Sequence, residues 1–313
     1  MKKVIVTTTI QNPTEAIEKF DSLPDWTLVV AGDLKTPKDY KLRNGIYLSP
    51  AEQEKMHKEL STAIGWNNHG RRNFGNLMAA DLGADIVAIV DDDNIPYDNW
   101  GRDILIGKET EVRFYAPEAP AFDPVGATNH RELWHRGFPL QLVKGRDYAC
   151  VSRRKVTADI QADFWDGDPD IDAVCRMIYA PTCRFDPSCF PIASSKPAPF
   201  NSQNTFISRK VLRDYFVLPH ISPRGRMGDI WIAYHMHTLG YQVVFCRPSV
   251  YQARNEHDLT VDMVDEYVGY AKNHLMVGSI RDGTYSVERF WPAQTQACYE
   301  IYRRCFRMEN EHE

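Results

Sequence analysis

The 313-residue sequence predicts an α/β domain with a mostly parallel central sheet flanked by helices. Two observations carry that expectation. Short Val- and Ile-rich runs alternate with helical patterns through the N-terminal third, as βαβ units require. One run, Ala84-Asp85-Ile86-Val87-Ala88-Ile89-Val90, is apolar enough for a strand buried on both faces, and it ends in Asp91-Asp92-Asp93. The carboxyl ends of parallel strands are where ligands bind in open α/β sheets.

Lys3 to Thr9 reads as the first strand. Gln11-Asn12-Pro13-Thr14 then leads into a short helix from about Glu15 to Phe20. Trp26 to Val30 forms a second strand, ending in Ala31-Gly32-Asp33, and Gly45 to Ser49 forms a third. Ser49 or Pro50 opens a helix that runs through Leu60. A polar stretch from Gly65 to Asn73 enters a helix over Phe74 to Leu82, where Phe74, Leu77 and Met78 share a face and Gly83 is the stop. The strand carrying the aspartates follows. Residues 110–200 are less regular and rich in Pro, aromatics and Asp. They read as an insertion or as the substrate-shaping half of the same domain. Further on, Gly228 to Thr238 is a helix, Tyr241 to Cys246 a strand, and the chain from Val287, including Tyr299 to Met308, is helical. The expected organisation is one domain over residues 1–280 and a helical tail over 281–313.

Composition narrows the classes. At 43% hydrophobic and 25% charged residues the chain is ordinary for a globular protein. A net charge of −5 argues against a general electrostatic grip on nucleic acid or an anionic membrane. The seven cysteines include no Cys-x-x-Cys pair, so neither a disulfide framework nor a zinc site is signalled. No apolar run approaches the ~20 residues that span a bilayer, and the N-terminus enters Val4-Ile5-Val6 without a signal peptide. A cytoplasmic setting with no membrane contact is therefore expected. Neither Gly-x-Gly-x-x-Gly after the first strand nor a Walker motif is present.

Three adjacent carboxylates repel one another strongly without a cation. As hard oxygen ligands they suit Mg²⁺ or Mn²⁺, and such an ion suits a phosphate-bearing substrate. Asp91 and Asp93 are the expected ligands and Asp92 their partner; the alternative is a solvated acidic turn. Thr8, Thr9 and Asp33 lie at strand tips where a base and ribose would sit, or are turn residues. Arg72 starts the helix facing the metal strand, and its fork suits phosphate. Arg71 is the more solvated of that pair. Asp229 opens the Gly228 helix, either as a general base for an acceptor hydroxyl or as an N-cap. Trp231 stacks on a sugar or joins the core. Asn201, Gln203 and Asn204 offer amides for a polar ligand or brace a loop. Asp166, Asp168, Asp170 and Asp172 lack the glycine and terminal glutamate of a calcium loop, and read as hydroxyl-binding or as loop structure.

Several stretches resemble a known family. Arg72-Asn73-Phe74-Gly75, Asp91-Asp92-Asp93, Arg136-Gly137-Phe138-Pro139, Asn201-Ser202-Gln203-Asn204-Thr205 and Gly228-Asp229-Ile230-Trp231 occur in the order found in the reversibly glycosylated polypeptides, which are plant UDP-arabinopyranose mutases. With Asp166-Gly167-Asp168-Pro169-Asp170 the set looks still more like the soluble domain of the STELLO-type glycosyltransferases. The resemblance covers about residues 1–260. It implies a GT-A, Rossmann-like fold, with residues 1–100 as the nucleotide-binding half and 101–280 as the acceptor and sugar half. It also implies a UDP-sugar donor, Mn²⁺ or Mg²⁺, and transfer of a hexosyl or pentosyl group to an acceptor hydroxyl. By the same resemblance His257 is a third metal ligand; Thr8, Thr9, Asp33, Arg72, Asp92, Arg136 and Asn204 are expected to face the donor. Arg136 matches the arginine that carries the sugar in the reversibly glycosylated relatives, but their second arginine is Val143 here. That departure turns the expectation from mutase to transferase and gives Arg136 a phosphate-binding role. The acceptor stays open between a glycan, a small molecule and a modified nucleobase, the last through Lys144-Gly145-Arg146, Arg153-Arg154-Lys155 and the C-terminal arginines. A non-catalytic nucleotide-sugar-binding protein and a homo-oligomer also stay open.

Overall fold

The computed structural model describes residues 1–148, 151–253, 258–284 and 286–306. In chain order its strands are β1 (Lys3–Thr9), β2 (Thr27–Gly32), β3 (Ile46–Leu48), β4 (Ile86–Val90), β5 (Asn94–Pro96), β6 (Glu109–Tyr115), β7 (Val151–Thr157), β8 (Ile160–Gly167), β9 (Ile192–Ser194), β10 (Asn204–Ser208) and β11 (Val243–Gln252). Its α-helices are α1 (Glu15–Asp21), α2 (Pro50–Met56), α3 (Lys58–Ile64), α4 (Arg72–Asp81), α5 (Ala173–Tyr179), α6 (Arg209–Leu212), α7 (Gly228–Thr238), α8 (Leu259–Asp282) and α9 (Ala293–Cys305).

All strands join one sheet in the order β3-β2-β1-β4-β10-β8-β11-β9-β6-β7, with β5 pairing β11 at the side. The N-terminal half is parallel: β1 pairs β2 and β4, and β2 pairs β3. The other half is mixed. β10 runs antiparallel to both β4 and β8, β11 is parallel to β8, and β6 is antiparallel to β7. The expected α/β sheet flanked by helices is therefore present, with its parallel part confined to β3-β2-β1-β4 and the β8–β11 and β6–β9 pairs.

Local chemistry explains the boundaries that position the site. β4 is buried along its whole length, as its unbroken apolar run demands. Thr14 caps α1 and Ser49 forms a capping box with Glu52 at the start of α2. The helix expected to run from Pro50 through Leu60 is instead two helices, broken at His57, whose φ of −148° and ψ of 85° are not helical. α4 lies so close on β1 that a Cβ at Gly75 would collide with Val6. That close contact sets the beginning of α4 beside the tip of β4. α8 was not foreseen in the sequence. α9 is no loose tail: Tyr299 and Tyr302 are buried in the main core, and the Tyr302 hydroxyl donates to Leu212 O at 2.8 Å. No helix among the described residues is long and apolar enough to cross a membrane.

Candidate active site

Because β1, β2 and β4 are parallel, their carboxyl ends share one edge of the sheet. β10 is antiparallel to β4, with Asn204 opposite Val90, so the chain entering β10 reaches that same edge. The turn before α7, Pro223 to Arg226, faces it from the other side. Between them lies a cleft of about 680 Å³. It gathers Thr8, Thr9, Asp33, Arg72, Asp91, Asp92, Asp93, Arg136 and Asp229, nine of the residues singled out in the sequence.

The three aspartates differ in their partners. Arg72 Nη2 donates to Asp91 Oδ1 at 2.6 Å, while Nη1 donates to the carbonyl and hydroxyl oxygens of Ser202 at 2.8 and 2.7 Å. Arg72 thereby ties α4 to the tip of β4 and to the approach to β10. Burial disfavours its charge, but Asp91 more than offsets this and holds the guanidinium above its ordinary pKa. Asp92 accepts from the Thr9 hydroxyl. Burial raises its carboxyl and the Thr9 hydrogen bond partly opposes that shift. Asp93 accepts from Asn94 Nδ2 at 3.2 Å and from Gln252 Nε2 at 3.4 Å. Among the described residues no group of three or more His, Cys, Asp or Glu side chains is arranged around one point for a metal. Two carboxylates on one tip, Asp91 and Asp93, nevertheless fit an ion that uses one or two protein carboxylates and completes its shell with water and phosphate oxygens. His257 lies outside the described residues.

The end of the cleft at the tips of β1 and β2 is braced. The Thr8 hydroxyl donates to Ala31 O at 2.6 Å. Asp33 accepts from the backbone N–H groups of Leu34 at 2.6 Å, Asn67 at 2.8 Å and Asn68 at 3.2 Å, so its carboxylate shapes the loop that walls this end. Arg71 is not solvated, contrary to expectation. It is fully buried, stacks 3.6 Å from the Trp66 ring centroid and donates to Gln53 Oε1 at 2.9 Å and Gly65 O at 3.2 Å. Burial pushes its guanidinium down to about 10.

The opposite end is an ion network. Arg136 donates to both oxygens of Asp229, at 3.0 and 2.8 Å, and its Nε donates to Asp170 Oδ1 at 2.8 Å. Arg226 O accepts from the same guanidinium. Every nitrogen of Arg136 is thus occupied by protein, which leaves no fork for a phosphate. Asp229 is not an N-cap: the cap of α7 is Met227, and Asp229 also accepts from Ser202 N at 3.3 Å. Behind this end, Arg226 donates to Glu266 Oε1 from α8 at 2.9 Å, and Arg224 N donates to Asp265 at 3.1 Å.

Asn204 does not join the cleft. Its Oδ1 accepts from Trp100 Nε1 at 2.9 Å, and its Nδ2 donates to Phe164 O at 3.1 Å and Ser249 Oγ at 2.9 Å. Ser202 and Gln203, just before β10, line the cleft instead. Trp231 is core, with Nε1 donating to Asn273 at 2.8 Å. In the acidic loop, Asp166 accepts from Tyr97 and Phe185 N, Asp168 pairs with Arg176, and Asp172 caps α5. Asp170 alone of these four lines the cleft. Sequence reasoning missed Lys35, His69, Arg224 and Gln252 as lining residues. Only Arg224 carried a signal, from its place in a Gly- and Arg-rich turn.

Carboxylates at strand tips and a buried arginine beside them meet in one polar cleft. No family model matches the chain. It resembles the STELLO glycosyltransferases, as its motifs predicted. It is similar to "Probable glycosyltransferase STELLO2" of Arabidopsis thaliana, 27% identical over 225 residues, and to "Probable glycosyltransferase STELLO1" of the same plant, 28% identical over 225 residues. Each match covers 65% of this chain, which spans 29% of the length of those relatives. Solved structures with similarity include a mycobacterial protein at 14% identity and a TM-score of 0.45, covering 91% of this chain and 75% of the other. Another is glucosyl-3-phosphoglycerate synthase from Mycobacterium tuberculosis in complex with Mn²⁺ and UDP-glucose, at 12% identity and a TM-score of 0.42, covering 91% and 80%.

Proposed function

We propose that this chain is a metal-dependent glycosyltransferase of GT-A type that moves a sugar from a nucleoside diphosphate sugar, a UDP-sugar, to an acceptor hydroxyl. The observation that carries the reading is the meeting of Asp91, Asp93 and Arg72 with the Arg136–Asp229 pair in one cleft. The relatives' description as glycosyltransferases supports it.

Asp91 and Asp93 would hold Mn²⁺ or Mg²⁺ against the donor diphosphate. The ion supplies charge that stabilises the departing nucleotide. Arg72 holds Asp91 in place through its ion pair, and the loop braced by Asp33 and Arg71 walls the nucleotide end. Asp229 is the acceptor-side carboxylate. Its pairing with Arg136 fixes its position for the role of a general base in an inverting displacement. To take the acceptor proton it must release one oxygen from Arg136, which Asp170 then retains. The saturated Arg136 fork favours a second reading, in which Asp229 only positions Arg136.

Arg136 is 5% exposed, and with Val143 nearby in sequence this disfavours sugar attachment as in the mutases. A nucleobase acceptor is disfavoured, since Arg153 and Lys155 pair with Glu111 and Glu109, and Arg146 pairs with buried Asp123. Arg303 and Arg304 pair with Asp214 and Glu59, while Arg307 lies outside the described residues.

A thermal-shift screen of UDP-sugars with and without Mn²⁺ tests the reading. A ligand at 100 times its dissociation constant should add ~2.7 kcal/mol of stability. Stabilisation by a UDP-sugar only with Mn²⁺, followed by UDP release, is expected. No response to any nucleotide sugar with Mn²⁺ would refute it. A changed sugar ring form with donor alone would identify a mutase, and binding without donor hydrolysis a non-catalytic protein.

A further inference from the structure

The sheet has a second concavity. It lies on the face that carries Phe206, opposite Gln161 of β8 in the ladder. Segment 99–105 and the Pro187–Pro191 turn cover this face. The cavity measures about 430 Å³. Ile104, Leu105, Phe190, Pro191 and Phe206 supply apolar walls. From its floor rises one carboxyl, Asp163, which accepts from Gln161 Nε2 at 2.7 Å. Gln161 is itself buried, and its Oε1 accepts from Leu105 N at 2.6 Å, so the floor is fixed to the cover. Burial pushes the Asp163 carboxyl up to about 7, against hydrogen bonds from Gln161 and Ser249 and the charge of Arg247. The Cys246 thiol beside it is likewise pushed up by burial.

The charges facing this cavity do not balance. Asp103, Glu111 and Asp163 line it, and Arg247 is the one Lys or Arg among the described lining residues. Arg247 is already paired with Asp103 at the rim, and Glu111 pairs outward with Arg153. Asp163 is thus a carboxyl in an apolar chamber without a cation of its own within hydrogen-bond reach in the structure. Such a chamber fits a ligand with a flat apolar body and one cationic head.

We propose that this cavity is a second ligand site, separate from the strand-tip cleft, which binds a small organic cation of the ammonium or amidinium class through Asp163. The head meets Asp163 on the floor and the body lies between Phe190, Pro191 and Phe206. The site touches the machinery of the cleft at one point. Ser249 bonds both Asp163 and Asn204, and Asn204 directly follows Ser202 and Gln203 of the cleft wall.

Benzamidine and its neutral isostere benzamide test this, since they share a shape and differ in charge. By calorimetry at pH 7.5 the protein should bind benzamidine at least about fivefold more tightly than benzamide. Asp163→Asn keeps the shape and removes the charge, and should reduce benzamidine to the level of benzamide. Arg247→Gln, at an exposed position, should tighten benzamidine. Asp93→Asn in the cleft should leave it unchanged. Equal binding of the two probes, unchanged benzamidine affinity in Asp163→Asn, weakened affinity in Arg247→Gln, or loss in Asp93→Asn would each overturn the proposal. Should Asp163→Asn not fold, the Arg247→Gln and Asp93→Asn arms decide it alone.

Discussion

Asp229→Asn separates the roles that the cleft allows for this residue. The side chain keeps its size but loses its charge, and its amide turns a donor toward one nitrogen of Arg136. Arg136 is buried, so it cannot recover the loss from water. Removing one partner of a buried ion pair costs about 3–5 kcal/mol. Asp170 still holds Nε at 2.8 Å, which puts the expected loss at the lower end, about 3 kcal/mol. For a chain of this length that lowers Tm by roughly 4–5 °C. A capping role would have cost about 1 kcal/mol or less, because Asn caps as well as Asp. Turnover should fall by about 10²–10⁴ if Asp229 takes the acceptor proton. Donor affinity with Mn²⁺ should change little, since Asp91 and Asp93 are untouched. Melting temperature, calorimetric donor affinity and the initial rate at saturating donor are read on one preparation. A double-mutant cycle with Arg136→Gln should return a coupling of about 2 kcal/mol or more. An unchanged Tm would refute the ion pair. Near-normal turnover, or a product that retains the donor's anomeric configuration, would refute the base and leave Asp229 as the group that positions Arg136.

Three further outcomes are expected. Asp93→Asn should abolish the Mn²⁺-dependent part of UDP binding while leaving the melting curve intact; unchanged UDP affinity with Mn²⁺ would count against the metal site. Intact-mass spectrometry after incubation with UDP-sugars should find no adduct on Arg136, whose nitrogens are all engaged, and a mapped adduct there would promote the mutase reading. Burial raises the Asp172 carboxyl to about 7 in the folded chain, so its contribution to stability is present below the unfolded value near 4 and is lost as pH rises toward 7. The stability of Asp172→Asn relative to the natural chain should therefore improve between pH 4 and 7, by at most about 4 kcal/mol at ~1.4 kcal/mol per unit; a difference independent of pH in chemical denaturation would contradict it.

What was legible in the sequence follows from range. β1, β4 and α7 carry their evidence in consecutive residues, so apolar runs and helical spacing located them closely. α8 was missed because charged residues on its buried side, Asp262, Asp265 and Glu266, spoil the apolar stripe. Those carboxylates are buried because they answer arginines that arrive from the α7 turn. Residues 110–200 looked irregular because β6 and its partner β7 are far apart in the chain, β7 is an exposed polar edge strand, and β6 buries Val112 and Phe114 in a small cluster apart from the main core.

The same distinction runs through the cleft. The acidic triplet is contiguous, so its chemistry could be read directly. Whether an arginine is solvated, free for phosphate or consumed by the protein depends on partners far away in the chain. Arg71 was taken for a surface residue because a cation without a counter-ion has no reason in sequence to be buried; Trp66 and Phe74 supply that reason by stacking. Arg136 meets Asp229 across 93 residues and Asp170 across 34. Each of the three was visible as a charged residue in a suggestive motif, and each was assigned a task of its own. Joined, two carboxylates share a single guanidinium and leave that end with an excess negative charge, while Asp93 is held by Asn94 and Gln252 and an arginine is committed to Asp91. If this end meets the acceptor, as proposed, we expect it to take an uncharged hydroxyl more readily than a second anion, which the excess carboxylate of the Arg136 network would repel.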